Sequence, residues 1–253
     1  MKYLFSLVTI GALLLGISIG SRAQTEVTLL VPNPFRGPLD KVVPGFESKT
    51  SYKLKVTYGK GMGTRQQVAR GEIFDVSILL PPYPEALASG NIDPKSATKL
   101  ASLTLALGVK KGAPKPDIST PEAFKQTLLA ANTIAYVDPM IGSDGFATQA
   151  ALQKLGVVDQ IKSKTKLSAN STIVGDVTAK GGADVCIFYL NEMEVPGLDV
   201  VGRLPKQFAT PVQVVAFIST HVKDAKAAKA LVRYLSSPDA ESSYKKDGLE
   251  PAR

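Results

Sequence analysis

The stretch "YGKGMGTRQQVARGE" (58–72) sets glycines at 59, 61 and 63 between an alternating, strand-like run and a helix-like one. Glycine lets a backbone approach a ligand closely, and a helix start at Thr64 offers unspent N–H groups with a positive dipole end. That chemistry is anion capture. A phosphate loop of the GxxxxGK[ST] type is excluded, because the single Gly-Lys pair, Gly59-Lys60, is followed by Gly61. The dinucleotide fingerprint GxGxxG fails as well, since Thr64 stands where its last glycine belongs. Two further loops have the same strand-to-helix setting: "VPNPFRGPL" (31–39) and "DPMIGSDG" (138–145), the second opening a helix with Ser143 and Asp144 in its first turn. One helix dipole contributes about 0.3–1 kcal/mol, roughly 2 when partly buried, whereas micromolar binding needs about 8 kcal/mol. Several donors must therefore converge, and the cations Arg36, Lys60 and Arg65 lie in or beside these loops. Arginine pairs with planar carboxylates in a bidentate way, which points toward a ligand richer in carboxylates than a tetrahedral oxyanion.

Other reactive types are sparse. His221 is the one histidine and Cys186 the one cysteine, and beyond residue 23 no HxH, HExxH, CxxC or GxSxG spacing occurs. A zinc site and a hydrolase nucleophile elbow have no basis here, and no cofactor is expected. Cys186 lies in the apolar run "DVCIFYL" and reads as a buried small hydrophobe. For proton transfer the candidates are Tyr189, Lys60, Asp138 and Glu192; His221 reads as an exposed neighbour of a helix cap.

The elements that must position these residues alternate. Strand patterns at 26–31, 52–58 and 74–80 are separated by helical ones, a β-α-β-α-β-α series that implies a parallel sheet covered by helices. A strand over 102–112 leads into a loop, and Thr120 with Pro121 marks the cap and first position of a helix. Then follow a strand at 133–137, helices at 143–156 and 171–182, strands at 183–190 and 210–220, and two closing helices broken at Pro238. Gly and Pro cluster at 108–116 and 202–211, as a chain crossing twice between two lobes requires. The expected division is 24–104 plus 212–253 as lobe I and 105–211 as lobe II.

The N-terminus combines Lys2, the apolar run Leu4–Gly20 and small residues ending at Ala23. It reads as a secretory signal peptide (1–23) cut after Ala23, which makes the mature chain an exported one with no membrane insertion. Net charge is +8, and +6 once Lys2 and Arg22 are removed. The lysines are dispersed among acidic residues rather than gathered in a patch, so nucleic acid is not an expected partner. A small anion is.

Across nearly the whole mature chain, the segments "VTLLVPNPFRGPL", "GFESKTSYKLKVTYGKGMGTRQQVARGEIFDVSILL", "IAYVDPMIGSDGFATQAALQKLG" and "ADVCIFYL" resemble the molybdate-binding proteins of ABC importers. The resemblance implies an α/β, two-lobed type II periplasmic-binding fold with two crossover segments. An anion would be held in the interlobe cleft by hydroxyls and backbone N–H groups. It also implies a monomer that hands its ligand to an ABC permease. With the cations Arg36, Lys60 and Arg65 of the loops, the expected ligand contacts are Asn33, Gly61, Met62, Pro139, Ser143, Thr172 and Tyr189. The chain departs from the family where Asn33-Pro34-Phe35-Arg36 replaces a Ser or Thr, and where Lys60-Gly61-Met62 replaces Ser-Ser-Gly. The segments "GVKKGAPKPDISTPEAFKQTLLAANTIAYVDP" and "VPGLDVVGRLPKQ" look like the subgroup that includes exported aconitate isomerases. That similarity implies a second reading, an allylic proton shift between cis- and trans-aconitate. Capture of an anion stands first and isomerisation second.

Overall fold

The computed structural model describes residues 25–59 and 63–252. The proposed signal peptide and the loop residues Lys60, Gly61 and Met62 lie outside the described residues.

The chain begins with β1 (Thr25–Pro32), α1 (Arg36–Lys49), β2 (Tyr52–Gly59), α2 (Gly63–Ala69), β3 (Val76–Leu79), α3 (Pro84–Ala88) and β4 (Thr98–Leu103). A second unit follows at once: β5 (Leu105–Lys110), α4 (Pro121–Ala130), β6 (Ile134–Val137), α5 (Ser143–Leu155), α6 (Val158–Ile161), β7 (Thr165–Ser168), α7 (Ser171–Ala179), β8 (Val185–Tyr189) and β9 (Leu198–Arg203). The chain then returns through β10 (Val212–Ile218), α8 (Ala225–Leu235), α9 (Pro238–Lys246) and β11 (Glu250–Pro251). Two sheets result, ordered β11-β4-β10-β3-β1-β2 and β7-β6-β8-β5-β9. Each is the core of one lobe of a two-lobed α/β fold.

Local chemistry explains the main elements. Strand β1 is buried from Leu29 to Pro32, as a central parallel strand covered on both faces requires. Helix α8 turns Ala227, Ala228, Leu231, Val232 and Leu235 inward and is capped by Asp224, whose carboxylate accepts from Ala227 N–H at 2.9 Å. Thr120 caps α4 through Ala123 N–H at 3.1 Å, with Pro121 in the first position, as the sequence predicts. Phe35 and Tyr244 pack at 5.0 Å between ring centres, joining the first loop to the C-terminal helices. Cys186 is fully buried, and burial pushes its thiol up to about 11.

Two sequence expectations change. The single strand expected over 102–112 is two strands in different sheets, split at Thr104, because both halves of the apolar run find a sheet to enter. Neither sheet is purely parallel. Strand β10 runs antiparallel to β3 and β4, and β5 antiparallel to β8 and β9. What positions the site is the parallel part. β1, β2 and β3 all end at one edge of the first sheet, and β6, β7 and β8 all end at one edge of the second.

Candidate anion and proton-transfer site between the lobes

These two edges meet. A cavity of about 60 Å³ is lined by Asn33 and Pro34 after β1, by Val137, Gly142, Ser143 and Asp144 after β6, by Ala169, Asn170 and Ser171 after β7, and by Glu192 after β8. Every one of these segments follows the carboxyl end of a parallel strand, where open α/β sheets bind ligands. Asn191 Nδ2 donates to the Pro34 carbonyl at 2.7 Å, closing the lobes against each other beside the cavity.

Two helix N-termini supply the electropositive side. Helix α5 starts after Gly142, which has no side chain to cap it, and the Asp144 carboxyl in its first turn lies against its own N–H and that of Gly145. Gly145 in that first turn packs directly on the backbone at the end of β6: a Cβ there would lie 2.3 Å from Val137 O and 2.7 Å from Asp138 O. Helix α7 is capped by Asn170, whose Oδ1 accepts from Ile173 N–H at 2.9 Å.

The acidic side is the unexpected part. Asp144 is 5% exposed, and its carboxyl is held near its own N–H and that of Gly145. Glu192 is half-buried as a residue, but its Oε2 is out of solvent and makes no hydrogen bond, while Oε1 accepts from Ser171 Oγ at 3.0 Å. Burial raises both carboxyls above their ordinary range, and for Glu192 the Asp144 charge adds to it. Within electrostatic reach of both, Tyr189 is fully buried and its hydroxyl lacks a well-formed hydrogen bond, although it interacts with Ser143. Burial first, then Asp144 and Glu192, keeps that phenol protonated; the Arg65 guanidinium opposes them weakly.

Of the residues singled out from sequence, Asn33 and Ser143 line this cavity, and Tyr189, outside the lining, interacts with Ser143. Arg65 is half-buried on α2, donating to the Pro82 carbonyl at 2.6 Å within electrostatic reach of Tyr189. Arg36 is exposed, with its guanidinium 3.7 Å over the Tyr58 ring, and does not line the cavity. Thr172 is exposed, and its neighbour Ser171 is the residue that faces inward. Pro139 lines a separate outer depression with Tyr136, Met140 and Phe146. Among the proton-transfer candidates Glu192 faces the cavity. Asp138 instead accepts from Met140 N–H at 2.8 Å in a turn, and His221 bonds Asn91 at 3.2 Å at the far edge of the first sheet, beyond antiparallel β10. Asp144 and Asn170 were not assigned from sequence. The signal for Asp144 is an acid in the first turn of a helix between two glycines, "GSDG".

Residues 27–250 match the family model described as bacterial extracellular solute-binding protein. The chain belongs to that family. This solute-binding protein is 32% identical over 251 residues to an aconitate isomerase from Pseudomonas sp, covering 96% of this chain and 95% of that one. It is 27% identical over 230 residues to the molybdate-binding protein ModA of Azotobacter vinelandii, covering 89% and 90%. Its fold is that of the substrate binding domain of a putative molybdenum ABC transporter from Clostridium difficile, with a TM-score of 0.76, 17% identity, and 90% and 100% of the two chains covered. The type II periplasmic-binding architecture is thereby established. Among the described residues no helix is long and apolar enough to cross a membrane.

Proposed function

We propose that this solute-binding protein acts in the periplasm on a small unsaturated polycarboxylate, closing its lobes over the anion and shifting a proton within it, as an aconitate isomerase does. The observation that carries this reading is the pair of buried carboxyl groups, Asp144 and Glu192, facing the interlobe cavity. A site built only to hold a dianion gains nothing from burying two acids beside it, because like charge opposes binding. A site that must remove and return a proton needs such groups, with values raised toward neutral pH.

The isomerisation is an allylic shift. A proton leaves the methylene carbon, the electron pair moves the double bond across the central carbon, and a proton arrives at the former vinyl carbon. Charge that builds on the carboxylates in between is stabilised by the N-termini of α5 and α7. A cavity of about 60 Å³ takes roughly four water-sized spheres, enough for one carboxylate and its neighbouring carbons. The test is proton NMR of cis-aconitate with purified protein in buffered water. Growth of the trans-aconitate vinyl signal is expected, and no conversion at high protein concentration defeats the reading.

A second reading, capture of a small oxyanion for an ABC permease, is favoured by the cavity's small size. Thermal shift with molybdate, tungstate, sulfate and phosphate separates the two. An oxyanion that stabilises the protein more than the aconitates do selects transport.

A further inference from the structure

We infer that Glu192 and Asp144 are the two stations of the proton shift, Glu192 as the acid that delivers a proton to one substrate carbon and Asp144 as the base that takes one from another. The assignment rests on the isomerase reading. It adds which residues perform the chemistry and how the site resets.

The geometry separates the two carboxyls by role. Glu192 Oε1 is fixed by Ser171 Oγ at 3.0 Å, so Oε2, buried and without a hydrogen-bond partner, is the oxygen left to carry a proton toward the cavity. Asp144 sits in the first turn of α5, where its own N–H and that of Gly145 favour a negative charge. The groups that bear on Glu192 are Asp144 from α5, which disfavours its ionisation, and Ser171 from α7, which favours it; Tyr189 from β8, in turn, feels Glu192. A neutral Glu192 beside an ionised Asp144 is the arrangement these partners select, since Asp144 alone has backbone N–H groups to hold its charge while burial opposes ionisation of both. Tyr189, protonated and without a well-formed hydrogen bond, lies within electrostatic reach of both carboxyls.

In the forward step the Asp144 carboxylate breaks the methylene C–H bond and becomes the acid, while Glu192 gives its proton to the former vinyl carbon and becomes the carboxylate. One proton is taken up and one released to the substrate, so no oxidant, reductant or second substrate is required. The site then returns to its starting state as the proton passes from Asp144 to Glu192, directly or through water, once product leaves. Before that transfer it is poised for the reverse reaction, with the roles exchanged.

Steady-state kinetics with cis-aconitate test this across pH for the wild type, Glu192→Gln, Glu192→Asp and Asp144→Asn, alongside melting curves for each. Expected are falls in kcat of about a hundredfold or more for Glu192→Gln and Asp144→Asn, with KM changed by no more than about threefold. Each variant should lose one limb of the pH profile, and Glu192→Asp should recover part of the rate. In deuterium oxide the wild type should place deuterium on the product carbon that gained hydrogen. A wild type that isomerises aconitate while Glu192→Gln, folded by its melting curve, keeps its rate and profile overturns the assignment alone. A wild type that binds aconitate and never converts it overturns the isomerase reading and the assignment together.

Discussion

Replacing Gly145 by alanine tests how closely the site depends on the seating of α5 on the end of β6. The added Cβ would lie 2.3 Å from Val137 O, 2.7 Å from Asp138 O and 2.8 Å from Asp138 C, all backbone atoms that cannot rotate away. Carbon contacts are comfortable only near 3.5 Å, so the first turn of α5 must withdraw by about 1 Å. Overpacking of this kind costs about 1–3 kcal/mol, which for a chain of this size lowers Tm by roughly 3–10 °C. The functional loss should be larger than the stability loss. Ser143 and Asp144 move with the helix, and a 1 Å misplacement of reacting groups costs about a hundredfold. Gly90→Ala is the control: Gly90 has a φ of +73° and nothing within 4 Å, so alanine there costs about 1–2 kcal/mol of backbone strain without touching the crevice. Melting curves, calorimetric titration with cis-aconitate and turnover are measured on both variants. Gly145→Ala with activity and affinity within about threefold of wild type would refute the close seating as the source of the site's geometry.

Three other outcomes follow from the same structure. Because burial raises the Glu192 carboxyl in the fold, the stability its proton contributes is full below the unfolded-state value near 4.3 and is lost as pH rises through the folded-state value; ligand-free Glu192→Gln should therefore lose less Tm than wild type between about pH 5 and pH 9 in a fluorescence melt. Arg36→Ala should change aconitate affinity by less than about threefold and cost about 0.5–1 kcal/mol of stability, since the guanidinium is spent on the Tyr58 face; calorimetry and melting curves decide it. Arg203 bonds Thr104 Oγ1 at 3.0 Å, Glu250 at 3.0 Å and the Gly248 carbonyl at 3.1 Å, tying both interlobe crossings to the C-terminal strand. Arg203→Ala should lower stability by roughly 1–3 kcal/mol and speed amide exchange over residues 248–251.

The strand-to-helix loops were legible because each is announced locally, by an apolar run, then turn residues, then a helical period, and such loops end at the same edge once the strands are parallel. Thus "VPNPF" and "DPMIGSDG" could be placed at one cleft before any coordinates. The pairing of Asp144 with Glu192 could not: one opens a helix and the other follows a strand, and only the register of β6 beside β8 brings them together. Arg36 misled for a related reason. Its loop faces the crevice, but the side chain reaches back over Tyr58, whose strand lies beside β1 with Val31 opposite. Strand β7, "TKLS", has four half-exposed or exposed residues and no alternation, so it exists through its pairing with β6 rather than through its own composition. Thr104 carries no turn signal at all, and the split it marks is decided by which sheet each side of the apolar run can complete.

A crystal structure of the protein with cis-aconitate tests the central claim most directly. Expected is the ligand between Asn33 and the first turns of α5 and α7, with two of its carbons about 3–3.5 Å from carboxyl oxygens of Glu192 and Asp144. Aconitate bound outside this crevice, or inside it with both carboxyls turned away from its carbons, would contradict the claim.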